Sequence, residues 1–450
     1  MSPTALHFER HHLRRDLLAS IIDGGLFSLM VGMGETYLPA FILALDERDE
    51  IAAGLVTAVP MVAGAVLQLL TPWLVRRVGS HKRYVVASAT TQAASLMLLP
   101  IAAWWGPTAT WLVFLAASIY WGAGLGTSAA WNTWVEGMVP RRVRTPFFAR
   151  RVRVSQSCVL LGFLAGGFSL QYARHTSWAM TAFSAVFAVA AICRFASAYF
   201  LTLQTEPRHA RVRERYVTIR ELSSGRKGAS SARLLSYLFV VQAVVYFSGP
   251  YFAPFMLKQM EMDYHVYAVL SGVTFLGKVL ALPVWGRVAH YAGPRKLLWI
   301  GGLGIIPISG LWCVSRNLAF IAVLQFTGGV AWAAYELAMF LMFFETIPRE
   351  ERTSVLTVYN LGNALAQVSG AFVGALFLVW QRRTPESYLW LFMISSAGRA
   401  AALWFLAQIP PVDISVHART PVINPMSVAS GDEGTIDQPI LPSMGGDDAD

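Results

Sequence analysis

The chain carries the same landmarks twice. Gly34-Glu35-Thr36-Tyr37-Leu38-Pro39 lies in an early apolar stretch, and Gly249-Pro250-Tyr251-Phe252-Ala253-Pro254 lies in another, 215 residues later. Val139-Pro140-Arg141-Arg142-Val143-Arg144-Thr145 returns as Ile347-Pro348-Arg349-Glu350-Glu351-Arg352-Thr353 at an offset of 208, and Gly162 and Gly166 return as Gly370 and Gly374 at the same offset. Arg194, followed by Tyr199-Phe200-Leu201, returns as Arg399, followed by Trp404-Phe405-Leu406, at an offset of 205. Each match alone is weak. Four in one order at nearly constant spacing indicate an internal duplication.

Composition places the duplicated unit in a bilayer. Apolar residues make up 55% of the chain and charged residues 14%, too few to cover a soluble domain of 450 residues. Twelve apolar spans are long enough to cross about 30 Å of hydrocarbon. They are read at 17–45, 51–74, 84–105, 109–139, 154–173, 178–203, 234–257, 264–286, 296–314, 317–347, 354–380 and 387–409. The expected fold is an all-α membrane protein of two pseudo-symmetric six-helix bundles, a layout used by transporters. The bundles are placed at 17–203 and 234–409, with a segment 1–16 before them, a basic loop 204–233 between them and a disordered tail 410–450 behind. The loop is expected to hold one short surface helix. The first sixteen residues are charged and the first span is too long for a signal core, so no cleavable signal is read.

Positive charge sets the expected orientation. With the N-terminus inside, inner segments hold 27 of the 36 Lys and Arg residues, and outer loops hold six: Arg48, Arg174, Lys258, Arg316, Arg382 and Arg383. Both termini and the 204–233 loop are therefore expected to be cytoplasmic. The net charge of +10 reads as topology and lipid contact, not nucleic-acid binding. Cys158, Cys193 and Cys313 lie in apolar stretches and read as packing residues. Trp104, Trp105, Trp111 and Trp178 read as interface anchors.

Two loops carry a recognisable pattern. After the second span the chain reads Pro72-Trp73-Leu74-Val75-Arg76-Arg77-Val78-Gly79-Ser80-His81-Lys82-Arg83, and after the eighth Gly286-Arg287-Val288-Ala289-His290-Tyr291-Ala292-Gly293-Pro294-Arg295-Lys296. Both resemble the signature of the major facilitator superfamily, a Gly, then Asp-Arg, then Gly and paired basic residues in a tight turn. Here Pro72 and Arg76 stand at the leading Gly and the Asp of the first copy, and His290-Tyr291 replaces Asp-Arg in the second. The later glycines, Gly79 and Gly293, let the chain reverse. Trp131-Asn132-Thr133-Trp134 through Arg150-Arg151 also resembles a loop of bacterial members with no assigned substrate. The resemblance implies secondary transport over residues 17–409. Gly162-Phe163-Leu164-Ala165-Gly166-Gly167 lacks the Gly-Pro pair of the superfamily's drug antiporters. Tyr120-Trp121-Gly122-Ala123-Gly124-Leu125-Gly126 lacks an arginine common in its proton-coupled members.

Ionisable residues inside spans are costly and become candidates for function. Glu35 lies beside Gly34 and Pro39, where the helix can bend, and could carry a proton; the bland alternative is a hydroxyl or backbone partner on a neighbouring helix. Asp23, twelve residues earlier, sits about 120° around the helix and could simply meet the basic loops. Lys278 and Glu336 form the sharpest pair, either a structural ion pair or a charge-selective site. Trp121, Gln242, Tyr246, Trp332, Tyr335, Asn360 and Asn363 are expected to line the cavity, suited to a small polar or amphipathic organic solute. Glu136 and Glu345, among Arg76, Arg77, Arg141, Arg144, Arg349 and Arg352, read as satisfied interfacial ions or as a gate at the inner end, with Gly79, Gly286 and Gly293 in its turns. Arg194 and Arg399, being repeated, read as structural.

No metal, cofactor or catalytic constellation is read: the nine histidines are scattered or terminal, and there is no Gly-Lys-Ser/Thr nucleotide loop. The expected function is a monomeric permease in contact with membrane lipids, working by alternating access, with proton coupling left open. A transporter-like lipid flippase or receptor, or a polytopic membrane enzyme, are the alternatives.

Overall fold

The computed structural model describes residues 3–46, 49–139, 141–174, 176–206, 225–346 and 352–408, nearly all of them helical. Helix α1 runs Pro3–Met33 and resumes as Leu38–Leu45. α2 is Glu50–Leu69, prolonged by Thr71–Val78. α3 is His81–Leu96 with Leu98–Trp105, α4 Thr110–Met138, α5 Arg141–Ala173 and α6 Ala179–Leu203. α7 is Gly225–Ser248, prolonged by Phe252–Pro254 and Phe255–Gln259. α8 is Tyr264–Ala292, α9 Pro294–Leu311, α10 Leu318–Thr346, α11 Arg352–Trp380 and α12 Pro385–Ala407.

Ten helical stretches among the described residues are long and apolar enough to cross a bilayer. One of them, His81–Ser128, passes through a turn at Gly106, where φ is 76°, and so contains both α3 and most of α4. Adding α9, an 18-residue helix outside those ten, gives twelve. Local chemistry sets their ends. Asp49 caps α2 by accepting from the Ala52 amide at 3.1 Å, and Ser80 caps α3 by accepting from the Arg83 amide at 3.0 Å. Thr384 and Ser387 form a capping box on α12. Trp104, Trp105, Trp111 and Trp178 are exposed around the α3–α4 and α5–α6 turns.

The packing repeats with a period of six helices. In the first half α1 packs on α5 and α6, α2 on α4, and α3 on α4 and α6. In the second half α7 packs on α11 and α12, α8 on α10, and α9 on α10 and α12. The halves meet through α2 against α11 and α5 against α8, two contacts that the same repeat exchanges.

One device is built twice at atomic detail. α1 and α7 are each broken by a 3-10 turn, Glu35–Tyr37 and Gly249–Tyr251. The tyrosine ending each turn is fully buried, and its hydroxyl donates to a carbonyl on the facing helix: Tyr37 to Phe163 at 2.5 Å and Tyr251 to Ala371 at 2.6 Å. Each ring lies over a glycine one turn further on. A Cβ on Gly166 would stand 2.5 Å from the Tyr37 ring, and one on Gly374 would stand 2.9 Å from Tyr251 and 2.2 Å from the Phe247 carbonyl. Gly162 and Gly370 admit the carbonyls of Leu29 and Ala243 in the same way, at 2.5 and 2.0 Å from a built Cβ. The tyrosines, and the carbonyls Leu29 and Ala243, are 214 residues apart, one fewer than the Gly34/Gly249 spacing.

Leucine at either ring seat overpacks the contact, which costs about 1–3 kcal/mol where neighbours can give. A ring can tilt and a helical carbonyl cannot. Gly374→Leu is therefore expected to lower the detergent-solubilised melting temperature more than Gly166→Leu; unchanged melting in both would show that these faces do not touch.

Candidate functional site

Glu35 is buried at the α1 break. Its Oε2 accepts from the Tyr120 hydroxyl of α4 at 2.8 Å, and its Oε1 has no protein partner. Toward the other end of α1 lies a second buried cluster. Asp23 accepts from Ser197 at 2.7 Å and pairs with Arg151 at 3.5 Å. Ser197 in turn accepts from Arg194, whose Nε donates to Gln92 at 2.8 Å. Arg151 also donates to the Ser20 carbonyl at 3.1 Å and stands 4.2 Å from the Trp131 ring centroid. Arg151, at the end of the stretch that resembles a loop, is already inside the bundle, because α5 begins at Arg141, and burial there demands a counter-ion.

In the second half, Lys278 of α8 donates to Glu336 Oε1 of α10 at 2.8 Å, while Glu336 Oε2 has no protein partner. The helices are drawn together by Gly277 against Phe326 and Gly329 against Thr274. Tyr335 and Trp332 meet edge to face at 5.6 Å, and Tyr335 is fully buried with its hydroxyl unpartnered. Asn360 donates to Gln68 of α2 at 3.4 Å, so it sits at the junction of the halves. Asn363, Tyr246 and Trp121 are buried, Gln242 and Trp332 half-buried. Trp121 packs over Gly64 in the first half, apart from the second-half group that joins Lys278, Glu336, Trp332 and Tyr335. Arg399 is buried and donates to the Ile305 carbonyl at 3.0 Å, tying α12 to α9.

We call the end carrying Arg76–Arg83 the basic end. There Gly79 and Gly293 hold φ of 73° and 85°, the left-handed backbone that reverses the chain. Gly286 does not share this role, because α8 continues through it to Ala292. Arg76 and Arg77 are exposed, and Arg77 lies 5.4 Å from the Trp73 ring centroid. Beside this turn Glu206, at the end of the first half, accepts from Ser80 at 2.5 Å and from the Lys82 amide at 3.2 Å at the α3 N-terminus. The side chains of Glu136, Arg141, Arg144, Glu345 and Arg352, and residues Arg349, 207–224 and 409–450, lie outside the described residues.

At the opposite end, polar side chains that sequence reasoning passed over clasp the halves together. Glu50, buried at the start of α2, accepts from Lys258 at 2.8 Å, from Gln259 at 3.2 Å and from the Tyr388 hydroxyl. Arg174, at the end of α5, pairs with Asp263, donates to the Met262 carbonyl at 3.2 Å and lies 5.5 Å from the Tyr264 ring centroid. Gln171 accepts from the Tyr264 amide at 3.0 Å. One signal was available. Arg174 and Lys258 are among the few cations that the charge rule assigns to outer loops, where positive residues are scarce.

The model of the Major Facilitator Superfamily matches residues 24–263 and 234–430. No curated protein sequence matches the chain. The chain resembles the solved nucleoside transporter NupG at 13% identity, with a TM-score of 0.64, covering 87% of this chain and 98% of that one. It resembles the human organic anion transporter MFSD10 (TETRAN) at 14% identity, with a TM-score of 0.63, covering 88% and 99%. The chain belongs to the Major Facilitator Superfamily.

Removing one member of a buried ion pair strands a charge, at a cost of about 3–5 kcal/mol, whereas removing both costs far less. Lys278→Met and Glu336→Gln are each expected to destabilise more than the double variant does. Additive losses in thermal melts would contradict the pairing.

Proposed function

We propose that this superfamily member, a secondary transporter and not an enzyme, moves a small organic solute across the membrane by alternating access. The observation that supports this reading best is the clasp around Glu50 and Arg174. Its bonds join the two halves and are ionic or polar, so they can exchange protein partners for water when the halves part. Beside the clasp the halves also touch through apolar contacts, Gly54 against the Tyr251 ring and Gly167 against Ala268. Each half keeps its own tight, apolar, glycine-seated contacts, so the halves can rock as bodies while the clasp breaks and reforms. Two structural relatives are named for nucleosides and for organic anions, both small organic solutes.

The bundles are assigned to 17–203 and 234–409. Both termini and the 204–233 loop are placed in the cytoplasm of a bacterial inner membrane, so the clasp is external. Glu136, Arg141, Arg144, Glu345, Arg349 and Arg352, with Arg76 and Arg77, are assigned to the opposing gate. The chain acts as a monomer in contact with lipid. Glu35, buried with one oxygen unpartnered, carries a proton through the cycle. Lys278 and Glu336 hold the solute.

Cross-linking tests the mechanism. Arg174→Cys with Asp263→Cys joins α5 to α8. Oxidation should stop proteoliposomes from accumulating any solute of a metabolite mixture read by mass spectrometry, and reductant should restore uptake. Uptake that survives complete cross-linking contradicts alternating access through this end. In the same vesicles, Glu35→Gln should keep solute exchange but lose its response to a proton gradient; an unchanged response removes Glu35 from coupling.

A further inference from the structure

The two halves carry different charge in their interiors. Asp16 accepts from Thr205 just beyond α6, and Glu50 belongs to the clasp, so both serve the ends of the bundles. Between the ends, the first half sets two carboxylates, Asp23 and Glu35, against two guanidiniums, Arg151 and Arg194. The second half sets one carboxylate, Glu336, against two cations, Lys278 and Arg399. One positive charge is in excess there. The duplicated scaffold does not require it: the residue matching Lys278 is Gly64, which lies under Trp121, and the residue matching Glu336 is Ser128. A charge held out of water is costly unless an opposite charge meets it.

Contacts link the three groups. Lys278 Nζ donates to Glu336 Oε1 at 2.8 Å. Trp332 lies one turn before Glu336 on the same side of α10, and the Arg399 guanidinium stands 6.0 Å from its ring centroid. At such separations, charges in a low-dielectric interior act on one another. Hydrogen bonding alone selects no solute here. Glu336 Oε2 accepts, Arg399 brings donors, and the hydroxyls of Tyr335 and Thr274, buried without a protein partner, can do either. Net charge does select. A cationic solute adds to the excess, an uncharged one leaves it, and an anion cancels it. An ammonium has three donors, so Lys278 can take a second acid while it holds Glu336. Trp332 is half-buried and meets Tyr335 edge to face at 5.6 Å, so aromatic surface lies within one turn of the pair for the organic part of a solute.

We propose that the solute is an organic anion, a carboxylate, sulfonate or phosphate ester, whose acidic group binds the Lys278 ammonium beside Glu336 and cancels the excess charge of the second half. The inference rests on the transporter reading above.

The test uses full-length protein in proteoliposomes, with and without chloride. The outer solution holds organic carboxylates, sulfonates and phosphate esters, sugars and nucleosides, and primary and quaternary amines, and lumenal mass spectrometry reads what enters. Anions should accumulate over protein-free vesicles in either salt. Lys278→Met should raise the KM for the anion about tenfold, and Lys278→Arg should recover part of that loss. Glu336→Gln, which leaves the ammonium without its carboxylate, should instead lower the KM. In detergent the anion should raise the melting temperature of Glu336→Gln more than that of the wild type, and should leave Lys278→Met unchanged. Entry of uncharged solutes or amines without any anion overturns the solute class and leaves transport standing. Entry of an uncharged solute only when chloride is present overturns it too, because an inorganic ion then meets the excess charge. Anion uptake and melting shifts that survive Lys278→Met overturn the site. If nothing enters while the anion still raises the melting temperature, the transport reading fails and the binding class stands; if nothing enters and no anion shifts melting, both fail.

Discussion

Everything else in this molecule depends on how closely its paired helices approach. Where α1 crosses α5, and where α7 crosses α11, a built Cβ on the facing glycines would stand within 2.5 Å of a carbonyl or a tyrosine ring. Backbones that touch so closely bury their polar groups, and each crossing meets that cost with a tyrosine hydroxyl bonded to a helix carbonyl. Such contacts cannot slide without breaking packing over a whole face. Each half is therefore stiff along these crossings.

The seam between the halves joins apolar contacts, Gly54 against the Tyr251 ring and Gly167 against Ala268, to polar bonds at one end. Glu50 collects three donors from the second half, and Arg174 reaches a carboxylate, a carbonyl and a ring across it. Glu50 is buried while Lys258, Arg174 and Asp263 stay partly exposed, so opening this end would trade these bonds for bonds to water. The buried charges deeper in the halves are organised otherwise. The first half ties Asp23, Arg151, Ser197, Arg194 and Gln92 into one network across four helices, α1, α3, α5 and α6. In the second half the buried bridge among the described residues is Lys278 to Glu336, with one carboxylate oxygen to spare. A saturated network suits a scaffold, and a bridge with spare valence suits a site that must exchange partners.

Duplication is what made the architecture legible. Gly162, Gly166, Gly370 and Gly374 could be singled out because they recur, and the tight crossings are where they recur. Lys278 and Glu336 were visible for the opposite reason, as ionisable residues in apolar stretches with Gly64 and Ser128 at the corresponding places. The clasp was not legible. Glu50 reads as an ordinary acid in the first turn of a helix, and its partner Tyr388 lies 338 residues away. Arg151 was hidden in a run of arginines whose local pattern is the same whether the helix begins before or after it. Glu206 lies where the first half gives way to the linker, and only the fold carries it to the α3 N-terminus. Sequence reports residue type and period; it does not report which distant helix end a side chain will meet.

In the proposed mechanism two stiff halves move about a seam that breakable polar bonds clasp at one end. Thr108, Ser177 and Arg316 are exposed at the clasped end, the first two in one half and the third in the other. Spin labels at Thr108→Cys and Arg316→Cys measure the distance across the seam, and labels at Thr108→Cys and Ser177→Cys measure it within a half. Adding Glu50→Gln and Arg174→Gln should lengthen and broaden the first distance while leaving the second unchanged. A cross-seam distance that stays fixed, or a within-half distance that moves with it, would contradict the account.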